Sequence, residues 1–163
     1  MLSLTIPVSF SFIEKFLSRG YHKKMNKSEI AQALFKEGFN CSQSLLAAYG
    51  TDIGIEREIA LKIAGAFGGG IGRMGETCGV VTGAIMIIGL KYGAISANDK
   101  EAKAKTYELA NTFVSNFKAR NNSVKCSELL GFDITSQPDS GKIISKQCPK
   151  YISDAVSIIE EIL

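Results

Sequence analysis

Four cysteines, Cys41, Cys78, Cys126 and Cys148, are the residues of this 163-residue chain best equipped for chemistry. A thiolate attacks disulfides and binds soft metals, so a group of four points to a thiol redox centre or a metal–sulfur site. The gaps between them contain 36, 47 and 21 residues, so no pair is a Cys-x-x-Cys, and neither the thioredoxin motif nor a ribbon-type zinc pattern applies. Local position is more informative. Cys41 follows Asn40, a good helix cap; Cys78 precedes Gly79; Cys126 precedes Ser127-Glu128; and Cys148 precedes Pro149, a residue favoured at the first helical position. All four thus fall at or beside an expected helix N-terminus, where unpaired N–H groups and the positive dipole end favour thiolate over thiol. The expectation is a thiol pKa below the reference of about 8.5. The plain alternatives are packing cysteines, which are common in cores, and a structural disulfide framework, which a chain with an ample core does not need.

The segment leading to Cys78 is rich in glycine. Within residues 66–78, Gly70-x-Gly72-x-x-Gly75 formally fits the GxGxxG pattern. A dinucleotide site would need a preceding strand and an acidic residue on a second strand, and neither is evident. The Walker pattern also fails, for lack of Gly-Lys-Ser/Thr. What remains is either a flexible helix–helix connection or a loop at the site itself. In the second reading Gly70, Gly72, Gly75 and Gly79 are binding positions whose bare backbone approaches Cys78 and donates N–H groups to sulfur or to a bound anion. Arg73 would add positive charge there, and Glu76 could accept a proton.

Other chemistries are poorly supplied. The single histidine, His22, lies near the N-terminus, which leaves residues 25–163 without Ser–His–Asp or Cys–His catalysis and without a histidine ligand for zinc or haem. The net charge of +3 is carried by residues 1–24; residues 25–163 hold 15 basic and 15 acidic side chains. Nucleic-acid binding needs a clustered positive excess, so it is not expected.

The elements that must position the cysteines are helical. Period-3.6 patterning places Ile30, Leu34 and Phe35 on one face of residues 28–36, and Leu45, Leu46 and Tyr49 on one face of residues 41–49. Residues 55–67 carry Ile55, Ile59, Ile63 and Phe67 four apart. Residues 79–92 are apolar on every side, as expected of a helix in the middle of a domain. Asn98-Asp99 caps the longest helix, to about residue 119, with Tyr107, Ala110, Val114 and Phe117 facing inward. A short helix follows at 127–130, then a turn-rich connection at 136–145 with room for one helical turn, and a last helix at 149–163 with Ile152, Ala155, Val156, Ile159 and Leu163 inward. No period-2 strand stands out. The predicted fold is all-α, an antiparallel bundle of six or seven helices. The expected domain is residues 25–163, with residues 1–24 an N-terminal extension outside the core. The longest uncharged interior run, residues 77–90, is too short to span a bilayer, and the chain reads as cytoplasmic with no stable membrane insertion.

The order Cys41, Cys78-Gly79-Val80-Val81-Thr82-Gly83, Cys126, Cys148 resembles the redox-active protein family named for its C–GCAxxG–C–C pattern. That family has four near-invariant cysteines, the second within a Cys-Gly-Ala-x-x-Gly element. Gly38-Phe39-Asn40-Cys41-Ser42-Gln43 and Ala66-Phe67-Gly68-Gly69-Gly70 are similar as well. The likeness spans roughly residues 28–162, with Val80 standing where the family usually has alanine. It implies that Cys41, Cys78, Cys126 and Cys148 are the functional set. Selenocysteine at a cysteine position in some members favours redox chemistry, and gene neighbours in that family imply a transporter-associated partner.

Three functions follow. In the first, two cysteines cycle between dithiol and disulfide without a cofactor, with an unidentified redox partner; Cys78 attacks and Cys41 or Cys148 resolves. In the second, the four thiolates are metal ligands for an iron–sulfur cluster or a zinc ion. In the third, the chain is a non-enzymatic helical accessory protein, of a transporter if the resemblance is followed.

Overall fold

Asparagine capping starts the first two helices. Asn26 Oδ1 accepts the Glu29 N–H at 2.9 Å while Glu29 Oε2 accepts the Asn26 N–H at 3.0 Å, and Asn40 and Gln43 repeat the exchange at 2.9 and 3.0 Å. Between them Gly38, at φ +107°, ends the first helix, so the two form a tight helical hairpin. The structure, a computed structural model, describes residues 25–136 and 146–163. Among these residues there are seven α-helices: α1 (Lys27–Glu37), α2 (Cys41–Tyr49), α3 (Arg57–Ile63), α4 (Gly79–Tyr92), α5 (Lys100–Asn121), α6 (Cys126–Leu130) and α7 (Cys148–Ile162). Single 3-10 turns lie at Gly50–Ile53, Gly65–Phe67 and Ile134–Ser136. The described residues contain no strand, only an isolated antiparallel bridge between Thr77 and Lys125. The all-α expectation is met. Residues 1–24, expected to be an extension, and most of the 136–145 connection lie outside the described residues.

α4 is the central element, packed against α2, α5 and α7. Its Val80, Val81, Ala84, Ile87 and Ile88 are buried, but Ile85 and Leu90 are exposed, since the three neighbours leave one side of the helix open. Expected burial on every side therefore gives way to burial on most of them. α5 is capped by Asp99, whose Oδ1 accepts the Ala102 N–H at 2.9 Å, and closed by Asn122 in a left-handed conformation. Its buried anchors are Phe113 and Phe117, stacked at 6.0 Å between ring centroids, and Phe117 meets the edge of Tyr151 on α7. Tyr107, assigned to the inner stripe from its spacing, is 60% exposed; the stripe turns through Phe113 instead.

The predicted 55–67 helix breaks after Ile63, and its face is reversed. Ile59 and Ile63 are about half exposed, whereas Ala60 and Ala64 are fully buried. A Cβ on Gly50 would lie 3.6 Å from the Ala60 Cβ, so the chain passes too close here for an isoleucine row to fit. On α7, by contrast, Ile152, Ala155, Val156 and Ile159 are buried as their spacing requires.

Among the described residues, no helix is long and apolar enough to cross a membrane.

Candidate functional site

Each cysteine begins a helix. Cys41, Cys126 and Cys148 are the first residues of α2, α6 and α7, and Cys78 is the N-cap of α4. All four are free thiols, and all are buried, at 4–6% exposure. Sequence separation is overcome by two devices, both built from glycine.

The first is the approach of α4 to α2. A Cβ on Gly79 would sit 2.9 Å from the Phe67 carbonyl oxygen, 3.2 Å from the Ser42 nitrogen and 3.3 Å from the Cys41 Cβ. One turn on, a Cβ on Gly83 would sit 3.2 Å from the Ser42 carbonyl oxygen and 3.3 Å from the Leu45 Cβ. Two bare positions four residues apart let the helix backbones close up, and Cys78 is thereby carried to Cys41. Thr82, between them, donates across the seam to the Ser42 hydroxyl at 3.4 Å.

The second device is the loop before Cys78. Gly69, Gly70, Ile71, Gly72, Arg73 and Gly75 all have positive φ, between +56° and +73°. This is a left-handed turn, a conformation that costs an L-residue roughly 1–2 kcal/mol and is normally left to glycine. It is closed by its own amides: Gly72 N–H donates to the Ala66 carbonyl at 2.7 Å, Arg73 N–H to Gly68 at 3.0 Å, Gly75 N–H to Gly69 at 3.1 Å and Glu76 N–H to Gly70 at 3.0 Å. The loop N–H groups of Gly72 and Gly75 thus bond within the loop, not to sulfur as the sequence suggested.

What the loop grips is the segment at Cys126. Cys78 N–H donates to the Val124 carbonyl at 2.8 Å, Cys126 N–H to Glu76 at 2.6 Å and Ser127 N–H to Gly75 at 3.0 Å. A Cβ on Gly70 would fall 2.6 Å from the Cys126 Cβ. The main chain around Cys78 and that around Cys126 are therefore fixed to each other. The Glu76 side chain is exposed; its carbonyl serves this lock, while its N–H closes the loop on Gly70.

The sulfurs share one electrostatic environment. A hydrogen bond between the Cys41 and Cys148 thiols holds the Cys41 proton in place; burial adds to this, as do negative charges on Cys148, Cys78 and Cys126, so the Cys41 pKa lies well above the ordinary thiol range. Burial pushes Cys78 up to about 12, with charge on Cys126 and Cys148 acting the same way, while the N–H groups of Val80 and Val81 pull it down. Cys126 is raised to about 11, by burial first and then by charge on Cys148. The expectation of depressed thiol pKa values is thus overturned for these three. Helix-start amides act in the expected direction at Cys78, but desolvation is larger.

Tyr151, one turn after Cys148, was not visible as a site residue in the sequence. Its hydroxyl donates to the Leu129 carbonyl on α6 at 2.7 Å and lies 3.2 Å from Gln147 Oε1. Burial raises its pKa, the Lys150 ammonium works against the rise, and charge on Cys148 and Cys78 adds to it. Its position three residues after a helix-start cysteine was the available signal.

Among the described residues no group of three or more His, Cys, Asp or Glu side chains is arranged to hold a metal ion.

The fold and site together define an all-α thiol-bearing domain, with cysteines from four separate segments gathered at helix starts. A family model described as "Putative redox-active protein (C_GCAxxG_C_C)" matches residues 39–162, and the chain belongs to that family. No curated protein and no solved structure matches the chain.

Proposed function

We propose that the protein is a thiol–disulfide redox protein in which Cys41 and Cys148 interconvert between dithiol and disulfide, with Cys78 and Cys126 completing a four-thiol site. The observation that carries this reading is the gathering of buried free thiols at helix starts, where Gly79 brings Cys78 to Cys41 and the Cys148 thiol is the hydrogen-bonding neighbour that most holds the Cys41 proton. Oxidation joins the two sulfurs and releases two protons and two electrons, the electrons passing to the disulfide of a partner, which is cleaved to two thiols. Raised thiol pKa values keep the resting site protonated and slow to react. Once a proton is lost, helix-start N–H groups offer the thiolate the stabilisation that Val80 and Val81 already offer Cys78. Strain in the left-handed turn at Ile71 and Arg73 is the kind that surrounding structure sustains at a working site. Four free cysteines suit a reducing compartment, and we assign the protein to the cytoplasm on that ground.

A second reading, an iron–sulfur or zinc site held by all four cysteines, draws on the way charge on each sulfur raises its neighbours, which a bound cation would offset. The side-chain arrangement does not favour it.

Anaerobic purification followed by metal analysis, a visible spectrum and thiol counting separates the two. The dithiol reading expects no stoichiometric metal, four thiols in the reduced protein, and loss of two on mild oxidation, with a Cys41–Cys148 peptide in the mass map. Stoichiometric iron with sulfur-to-iron charge-transfer absorption would overturn it in favour of the cluster. Four thiols inert to oxidant would leave the accessory-protein reading.

A further inference from the structure

With exposure of 4–6%, none of the thiols meets an outside disulfide until part of the fold opens. The elements that carry them differ in how they are held. α2, α4 and α7 have nine or more residues each and pack against one another. α6 has only five residues. Leu129 and Leu130 anchor it in the core, and the rest of its attachment is a short set of hydrogen bonds. Cys126 and Ser127 donate to the glycine loop, and the Leu129 carbonyl accepts from Tyr151. Lys125 and Glu128, on either side of Cys126, are exposed. Releasing these few bonds uncovers Cys126 at less cost than separating any pair of the longer helices.

Tyr151 gives the geometry a second feature. It stands one turn beyond Cys148 and grips the far end of the helix that Cys126 begins. The helix that Cys126 begins and the helix that Cys148 begins are thereby tied together, and charge on Cys148 acts on Cys126.

Building on the dithiol reading above, we propose that Cys126 is the entry thiol for an external disulfide, that Cys148 is the sulfur shared between Cys126 and Cys41, and that Tyr151 is the positioning residue joining the two halves. The Cys126 thiolate attacks one sulfur of the external disulfide, forming a mixed disulfide and releasing one thiolate, which takes up a proton. The Cys148 thiolate then attacks Cys126 Sγ, releasing the second external thiol and forming Cys126–Cys148. Finally the Cys41 thiolate attacks Cys148 Sγ, which yields Cys41–Cys148 and returns Cys126 to the thiol. The net change is one external disulfide reduced to two thiols and one internal dithiol oxidised.

The test uses the reduced full-length protein mixed with less than one equivalent of 2-hydroxyethyl disulfide, quenched in acid at successive times and mapped by peptide mass. The first adduct in the wild type is expected on Cys126, followed by Cys126–Cys148 and then Cys41–Cys148. Cys126→Ser should slow the appearance of Cys41–Cys148 by about tenfold or more, and Cys41→Ser should accumulate Cys126–Cys148. Tyr151→Phe should slow transfer from Cys126 to Cys148 without slowing the first adduct, a split that a general loss of stability does not produce. A first adduct on Cys41, Cys78 or Cys148 in the wild type, which needs no variant to fold, overturns the proposal, as does a wild-type rate in Cys126→Ser. Failure of the wild type to form Cys41–Cys148 at all overturns the dithiol reading and this relay with it.

Discussion

The two ends of α4 are built on different rules. At its N-terminal end, main chain meets main chain. Gly79 and Gly83 lie against Ser42, and Cys78 N–H is bonded across to Val124. At its C-terminal end the same helix carries an exposed Leu90, and a Cβ on Gly89 would have no atom within 4 Å. The contacts of that end come from side chains: Lys91 Nζ and the Tyr92 hydroxyl both donate to the Leu163 carbonyl, at 3.0 and 3.2 Å. Glycine is thus a requirement at one end and a vacancy at the other. The close backbone approach is concentrated where sulfur atoms have to be brought together.

The sharpest way to break this contrast is Gly70→Ala. The new methyl would need a left-handed backbone and would fall 2.6 Å from both the Cys126 Cβ and the Glu76 nitrogen. A loss of about 3 kcal/mol or more is expected in urea unfolding, since neither neighbour is a flexible chain end. A change within 0.5 kcal/mol or so would mean the loop does not hold Cys126 as described.

Next comes the pH dependence. With folded pKa values of about 12 for Cys78 and about 11 for Cys126, the native state keeps its thiol protons where the unfolded chain has lost them. Unfolding is then favoured by rising pH, so these two thiols leave stability level below about pH 8 and lower it from about pH 9 to 11, by roughly 2–3 kcal/mol each. Denaturation midpoints measured across that window should fall in the wild type and fall less in Cys78→Ser. A flat wild-type profile contradicts the burial argument.

The smallest effects give the finest comparison. Gly83→Ala should lower stability by about 1–3 kcal/mol through overpacking against Ser42 and Leu45. Gly89→Ala, in the same helix, should raise it by about 0.5–1 kcal/mol by restricting the unfolded chain. Equal signs for the two substitutions in calorimetry would erase the distinction between the ends.

Much of this was readable from residue order. Asn26, Asn40 and Asp99 announce their helices because a short polar side chain before a helical run has an amide to cap, and that interaction is local. The position of each cysteine at a helix start was legible for the same reason. The effect of that position on acidity was not, because desolvation depends on the whole core while the helix-start amides are set by neighbouring residues. Ile59 and Ile63 misled because periodicity favours large apolar side chains, whereas the buried face runs through Ala60, which meets the close passage at Gly50, and Ala64. The bridge between Thr77 and Lys125 joins residues far apart in sequence and leaves no local mark. Positive φ at Ile71 and Arg73 runs against the preference of both residue types and is imposed by the turn around them.

That turn has a stereochemical consequence. Gly72, at φ +56°, has open space where an L-side chain would project, so crowding plays no part there and handedness alone decides what the backbone accepts. In protein made by chemical synthesis, D-alanine at this position would suit the mirror-sense backbone, while L-alanine would carry the left-handed penalty. The difference in folding free energy between the two diastereomers is then a direct reading of what chirality alone contributes to the loop beneath the thiols.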